Sequence, residues 1–187
     1  MDVLEPVLVR IGEEWRSSEK FTLAQAYVAG KVAEDVLIKI AAKSTAQSAG
    51  PPAKGPVVIG NIEEDFHALG RRMVGTFLRT EGWLVHDLGN DVTPAAFVDK
   101  AVETGARVIG ASAMMLTTAR NIRHLRDEID RRGLTGKIQL VVGGAVFLVC
   151  PGLVEEVGGD GTAPSAISAA ATFEQHWQRS LKLETGL

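Results

Sequence analysis

The sequence predicts an α/β protein, a doubly wound, five-stranded parallel sheet preceded by a short, incomplete helical cap. From Val57 onward, short β-branched runs alternate with helical patterns, the rhythm that right-handed βαβ units require. Gly82, Gly105 and Gly133 stand where helix ends need a left-handed residue, and Thr93-Pro94 reads as a helix start. Ahead of this region, residues 44–55 have no periodicity and consist of linker residues.

Leu4, Val7, Leu8, Ile11 and Trp15 recur at helical spacing and place one apolar stripe on a first helix ending near Ser17-Ser18. Thr22 caps a second helix, whose apolar positions are Leu23, Tyr27, Val36, Leu37 and Ile40, ending at Lys43. Two such helices cannot bury both stripes alone, so they are expected to pack on the main domain or on another subunit, which allows a homo-oligomer. The division is therefore a helical cap over 1–43, a linker over 44–55 and a sheet domain over 56–187. Strands are expected over 56–60, 83–88, 107–112 and 138–142, with a weaker fifth over 160–163. Helices are expected over 69–81, 93–104, 117–132 and 148–157, and a last one from Pro164 to about Leu183.

Composition narrows the function classes. The 187 residues are 45% apolar and 23% charged with a net charge of −3, and Lys and Arg are interspersed with acids, so nucleic-acid binding is not expected. A single cysteine, Cys150, excludes an intramolecular disulfide and, before Pro151, carries no mark of a nucleophile. Met1-Asp2-Val3-Leu4-Glu5 lacks the basic start of a secretory signal, and no stretch of about 20 residues is free of charge, so no membrane span is expected and the location expected is cytoplasmic.

Three segments at strand ends carry the chemistry. Gly60 to Gly70 follows the first strand and holds Asp65 and His67, an imidazole two residues after a carboxylate. Ala111-Ser112-Ala113-Met114-Met115-Leu116-Thr117-Thr118 follows the third strand, and Val142-Gly143-Gly144-Ala145 follows the fourth. Paired glycines there let a backbone approach a ligand or a neighbouring segment closely. In a flavodoxin-like strand order of 2-1-3-4-5 these strands meet around the switch point, where open sheets bind ligands. Each residue also has a plain structural account. Asp65 and His67 read equally as an exposed turn pair, Ser112 as a small buried residue, Thr118 as an early-turn helix residue and Trp15 as an anchor between two helices. His86, His124 and His176 have no acidic or cysteine partner at ligand spacing and read as surface or satisfied histidines.

The order Asp65-Phe66-His67-Ala68-Leu69-Gly70, then Ser112-Ala113-Met114, then Gly143-Gly144 resembles the signature of cobalamin-binding domains, as in methionine synthase and the corrinoid proteins of methyltransferase systems. The intervening Trp83 to Val92, Pro94 to Val98, and Gly159-Asp160-Gly161 with Ala163-Pro164 are similar to the corrinoid proteins as well. The resemblance implies cobalamin as cofactor, His67 as the lower axial cobalt ligand and Asp65 as the acceptor that sets its tautomer. It further implies that Thr118, with Thr117 beside it, extends this relay, and that Ser112 bonds the displaced base of the nucleotide tail. Gly70, Gly143 and Gly144 would leave room for that tail, and Met114 would form an apolar wall. Gly12-Glu13-Glu14-Trp15, Glu19 and Ala24-Gln25 resemble the helical module of corrinoid proteins and light-sensing repressors, which implies that Trp15 covers the upper face of the corrin. The Glu-His of the photoreceptors is Gln25-Ala26 here, and Glu64 stands where the family usually has glycine.

Other occupants of this fold class fail on the same residues. A receiver domain needs an acidic phosphoacceptor where Ala111-Ser112-Ala113 stands, and three carboxylates at 63–65 would repel a flavin phosphate. No G-x-G-x-x-G follows the first strand. The expectation is a corrinoid carrier that passes a methyl group between methyltransferase subunits, served by a reductive activase and not a complete enzyme by itself. The alternative is a cobalamin-dependent sensor; with no DNA-binding pattern ahead of Leu4, it would act through a partner protein.

Overall fold

The computed structural model describes residues 52–185 together with Arg10, Gln25, Val28, Ala29, Val32, Asp35, Val36 and Lys39. The chain divides into two compact units, Met1–Ser48 and Ala49–Leu187. Those eight residues of the first unit are all helical, and Trp15 with the rest of the expected cap and most of the linker lies outside the described residues. Among the described residues, no helix is long and apolar enough to cross a membrane.

In the second unit the elements alternate as β1 (Lys54–Asn61), α1 (Ala68–Thr80), β2 (Trp83–Asp87), α2 (Pro94–Thr104), β3 (Val108–Ser112), α3 (Leu116–Arg131), β4 (Gln139–Gly143), α4 (Ala145–Val149), α5 (Leu153–Glu156), β5 (Gly161–Thr162) and α6 (Ala169–Thr185). The sheet order is β2-β1-β3-β4-β5 and every pairing is parallel, as the alternation requires. Consecutive apolar residues in β1 supply both faces of the sheet. Val58 joins Phe97, Ile109, Ile122, Leu125 and Leu140 in one buried layer, which takes in α2 and α3. Val57 and Ile59 join Leu78, Val108, Val141 and Phe173 in the other, which takes in α1 and α6.

The signals for helix ends act as read. Thr93 caps α2 by accepting from the Ala96 N–H at 3.3 Å with Pro94 in the first turn, and Gly82, Gly105 and Gly133 adopt φ of 85°, 71° and 68°. Three expectations differ. β1 takes in Lys54 and Gly55, because the N–H groups of Ala53 and Lys54 both donate to the Gly82 carbonyl at 3.1 Å. The helix expected over 148–157 begins at Ala145 and is broken into α4 and α5 by Pro151-Gly152, since proline has no N–H to continue the ladder. The last helix begins at Ala169 instead of Pro164. Ser165 and Ser168 exchange hydroxyl and backbone hydrogen bonds of 3.0–3.2 Å and hold the chain in turns.

Candidate functional site

Parallel pairing of β1 with β3 and of β3 with β4 brings the turns after these strands to one edge of the sheet, with Asn61, Ser112 and Gly143 in register. There the chain buries a charge. Asp65 is 0% exposed and its carboxylate is fully engaged. Oδ1 accepts from Asn61 Nδ2 at 2.8 Å and from the His67 N–H at 3.0 Å. Oδ2 accepts from the Met114 N–H at 2.8 Å and from Thr118 Oγ1 at 2.9 Å. Burial alone would push the carboxyl pKa up, but the donors from Met114, His67, Asn61 and Thr118 outweigh it and hold the pKa below its ordinary value.

His67 is placed differently. Its side chain is 51% exposed, and Nδ1 stands 3.4 Å from Asp65 Oδ1, so Nε2 is the nitrogen turned away from the carboxylate. It occupies the position before α1 without capping that helix through its side chain. Glu64 explains why glycine suits the preceding place: its φ is 68°, in the left-handed region. The conformation is held by the Glu64 N–H donating to Asp91 Oδ1 at 2.8 Å and by Asn121 Nδ2 donating to the Glu63 carbonyl at 3.1 Å. The Glu64 side chain is exposed, and its carboxylate accepts from Asn121 Nδ2 at 3.4 Å.

The other sequence candidates separate by environment. Thr118 is buried and reaches Asp65, whereas Thr117 is exposed on the first turn of α3. Ser112 is half-buried at the end of β3 and Met114 is exposed beyond it. A Cβ at Gly70 or Gly143 would meet open space. At Gly144 it would lie 1.9 Å from the Ala113 carbonyl oxygen, on a residue with φ of 119°, so this glycine is required by a neighbouring strand end. Two of the dismissed histidines also differ from expectation. Among the described residues His86 Nε2 and His176 Nδ1 are buried without a hydrogen-bond partner, and burial, only partly offset by Asp160, pushes the His176 pKa down.

Sequence reasoning missed two groups. Asn61 and Arg71 sit beneath the histidine turn, buried and bonded to each other, because nothing in the spacing marks a strand end and a helix residue as partners. Phe66, Met115, Leu116, Leu148, Val149 and Ile167 are large apolar residues left exposed in or beside the turns after β1, β3, β4 and β5. Their signal was readable, since Ala145 to Val149 is apolar on every side of a short helix. Among the described residues no group of three or more His, Cys, Asp or Glu can hold a bare metal ion. One outward imidazole backed by a carboxylate, beside exposed apolar side chains, suits a metal that brings its own macrocycle and needs one axial bond.

Residues 55–171 match the B12 binding domain model. The chain is 37% identical over 121 residues to dimethylamine corrinoid protein 3 of Methanosarcina acetivorans, covering 65% of this chain and 56% of that protein. It is 32% identical over 176 residues to a corrinoid protein of Desulfitobacterium hafniense, covering 90% and 79%. Among solved structures, the monomethylamine corrinoid protein of Methanosarcina barkeri superposes with a TM-score of 0.77 at 27% identity, covering 92% of this chain and 80% of that one. The match to the Methanosarcina acetivorans protein and that to dimethylamine corrinoid protein 2 of Methanosarcina mazei span little more than half of those proteins' length.

Proposed function

This chain belongs to the B12-binding domain family, and we propose that it holds cobalamin with His67 Nε2 as the lower axial ligand of cobalt and serves as a methyl carrier between methyltransferase subunits. Bound cobalt supplies the nucleophilic and leaving-group chemistry of methyl transfer. The side chains hold and tune it. Asp65, an ionised acceptor 3.4 Å from His67 Nδ1, keeps the ring proton on that nitrogen and leaves the lone pair on Nε2. Thr118 and the Met114 N–H keep the carboxylate ionised from the opposite side. Gly70 and Gly143 leave space for the nucleotide tail, and Ser112 stands between β1 and β4 to bond its base. Met114, Phe66, Met115, Leu148 and Val149 offer apolar surface to the corrin. Trp15 is assigned to the upper face on resemblance alone.

The observation that carries this reading is the contrast within one turn between Asp65, wholly buried and fully bonded, and His67, half-exposed with Nε2 outward. The partners are taken to be a loading and an unloading methyltransferase and a reductive activase. The test is the visible spectrum of protein mixed with hydroxocobalamin and desalted, for the natural chain and for His67→Ala. Retained cobalamin whose spectrum changes with the substitution is expected; no retention overturns the binding site, and an unchanged spectrum overturns the ligand. Methyl transfer from a purified methyltransferase to the bound cobalt then separates a carrier from a sensor.

A further inference from the structure

The histidine turn is not held by Asp65 alone. At the end of β1, buried Asn61 uses both ends of its amide: Nδ2 donates to Asp65 Oδ1 at 2.8 Å and to the His67 carbonyl at 3.2 Å, and Oδ1 accepts from Arg71 Nε at 2.7 Å. Arg71, on the first turn of α1 and 6% exposed, then forks away from the site. Nη1 donates to Asp87 at the end of β2, and Nη2 donates to Asn90 Oδ1 at 3.1 Å in the following turn. That turn also grips the histidine segment directly. Asn90 Nδ2 donates to the Phe66 carbonyl at 3.4 Å, the Asp91 N–H to the Asp65 carbonyl at 3.2 Å, and the Val92 N–H to the Asn61 carbonyl at 2.9 Å.

We propose that Arg71 is a positioning residue for His67: by fixing Asn61 against the β2 turn, its three-way fork sets the backbone that presents the imidazole. The physical ground is that, among the described residues, Asn61 is the one side chain bonded both to the carboxylate behind the imidazole and to the histidine's own carbonyl. Its amide is held from both ends, the two acceptors of the turn taking Nδ2 and the Arg71 Nε–H taking the oxygen, so loss of the arginine frees the oxygen end and loosens the side chain that grips the turn. The planar guanidinium serves three acceptors at fixed angles, which an ammonium cannot do. The inference rests on the proposed ligation of cobalt by His67.

The experiment loads the full chain, labelled with 15N-histidine, with hydroxocobalamin, reduces it by one electron, and reads the nitrogen splitting in the electron paramagnetic resonance of the bound cobalt. This gives the histidine-ligated share of bound cobalt, whatever amount is retained. In Arg71→Met the ratio of ligated to unligated cobalt is expected to fall about fivefold or more, the worth of a single lost hydrogen bond, with Arg71→Lys between it and the natural chain. Arg126→Met is the control. Arg126 is as buried and as fully bonded, but to Gly158 and Asp160, so its loss lowers the thermal midpoint and leaves the ratio unmoved. An unchanged ratio in Arg71→Lys overturns the inference whether or not Arg71→Met folds, because the fork is what it claims. A ratio that falls as far in Arg126→Met overturns it too, since general loosening would then suffice. If the natural chain shows no 15N-dependent splitting, the ligand reading falls and this inference with it.

Discussion

The sheet is closed at each end by a buried arginine, and the two ends are used differently. At the amino edge Arg126 of α3 donates from Nε to the Gly158 carbonyl at 2.7 Å and from Nη2 to Asp160 Oδ2 at 2.5 Å, and the same carboxylate oxygen accepts the Leu140 N–H at 2.6 Å. These bonds tie the start of β4 to the segment that enters β5, and they end there. At the carboxyl edge Arg71 bonds the ends of β1 and β2, and its bonds run on through Asn61 to Asp65 and His67. The exposures are 6% for Arg71 and 7% for Arg126. Burial therefore does not separate the two arginines, whereas the groups at the far end of their bonds do. The carboxyl edge is also where exposed apolar side chains gather and where Gly143 leaves open space.

The largest effect expected is at the point where the carboxyl edge is most densely bonded. Asp65→Ala removes the buried acceptor shared by Asn61, Met114, Thr118 and His67, and should cost about 4 kcal/mol in urea unfolding of the cofactor-free protein. His67→Ala, on a half-exposed side chain in the same turn, should cost no more than about 0.5 kcal/mol in that assay while abolishing histidine ligation. Equal costs would mean that the turn is a structural unit with no division of labour. Next in size, Arg126→Met should lower stability by about 3 kcal/mol by leaving Asp160 without its cation and the Gly158 carbonyl without its donor, with no change in the spectrum of bound hydroxocobalamin. A spectral change would erase the contrast between the two edges.

A pair of glycines sharpens the contrast further. Gly158→Ala at the amino edge puts a Cβ 2.7 Å from Arg126 Cγ on a backbone with φ of 75°, and should cost about 2 kcal/mol. Gly143→Ala meets open space and should change stability by less than about 0.5 kcal/mol, yet weaken retention of hydroxocobalamin on desalting. The smallest expected effect is a pH dependence of the amino edge. His176 of α6 has its pKa pushed down by burial, against the opposing pull of Asp160 and with a push from Arg179, so below about pH 6.5 the unfolded chain takes up a proton that the folded chain refuses. Stability contributed by the neutral ring is present above that pH and is lost as pH falls toward the folded-state value. In a urea titration series His176→Gln should flatten this slope; an identical slope would assign the titration elsewhere.

Much of the molecule was legible before folding. The expected strands lie within two residues of β1 to β4, because runs such as Val57-Val58-Ile59 and Leu140-Val141-Val142 are short, β-branched and punctuated by glycine. Asp65 and His67 were legible as a pair because the carboxylate and the imidazole are two residues apart in one turn. Thr118 could be named only by resemblance, since it lies 53 residues from the oxygen it bonds. The break between α4 and α5 is readable from Pro151, since a proline inside a helical pattern ends it, so the single helix expected over 148–157 is not formed. The late start of α6 turns on Ser165 and Ser168, whose hydroxyls compete with helix bonds in a way that spacing does not reveal.

By itself, then, the sequence determined the local periodicities, the parallel α/β class and the turn that carries His67, because these depend on interactions between residues near one another in the chain. Only the tertiary structure decided which charged residues are buried. Arg71 reads as a solvated helix residue until the ends of β1 and β2 bring Asn61 and Asp87 to it from 10 and 16 residues away. It also separated Gly143 from its neighbour, since Gly144 alone faces the Ala113 carbonyl. The physical reason is common to these cases: a buried polar group is defined by the partners that satisfy it, and those partners are assembled by the fold.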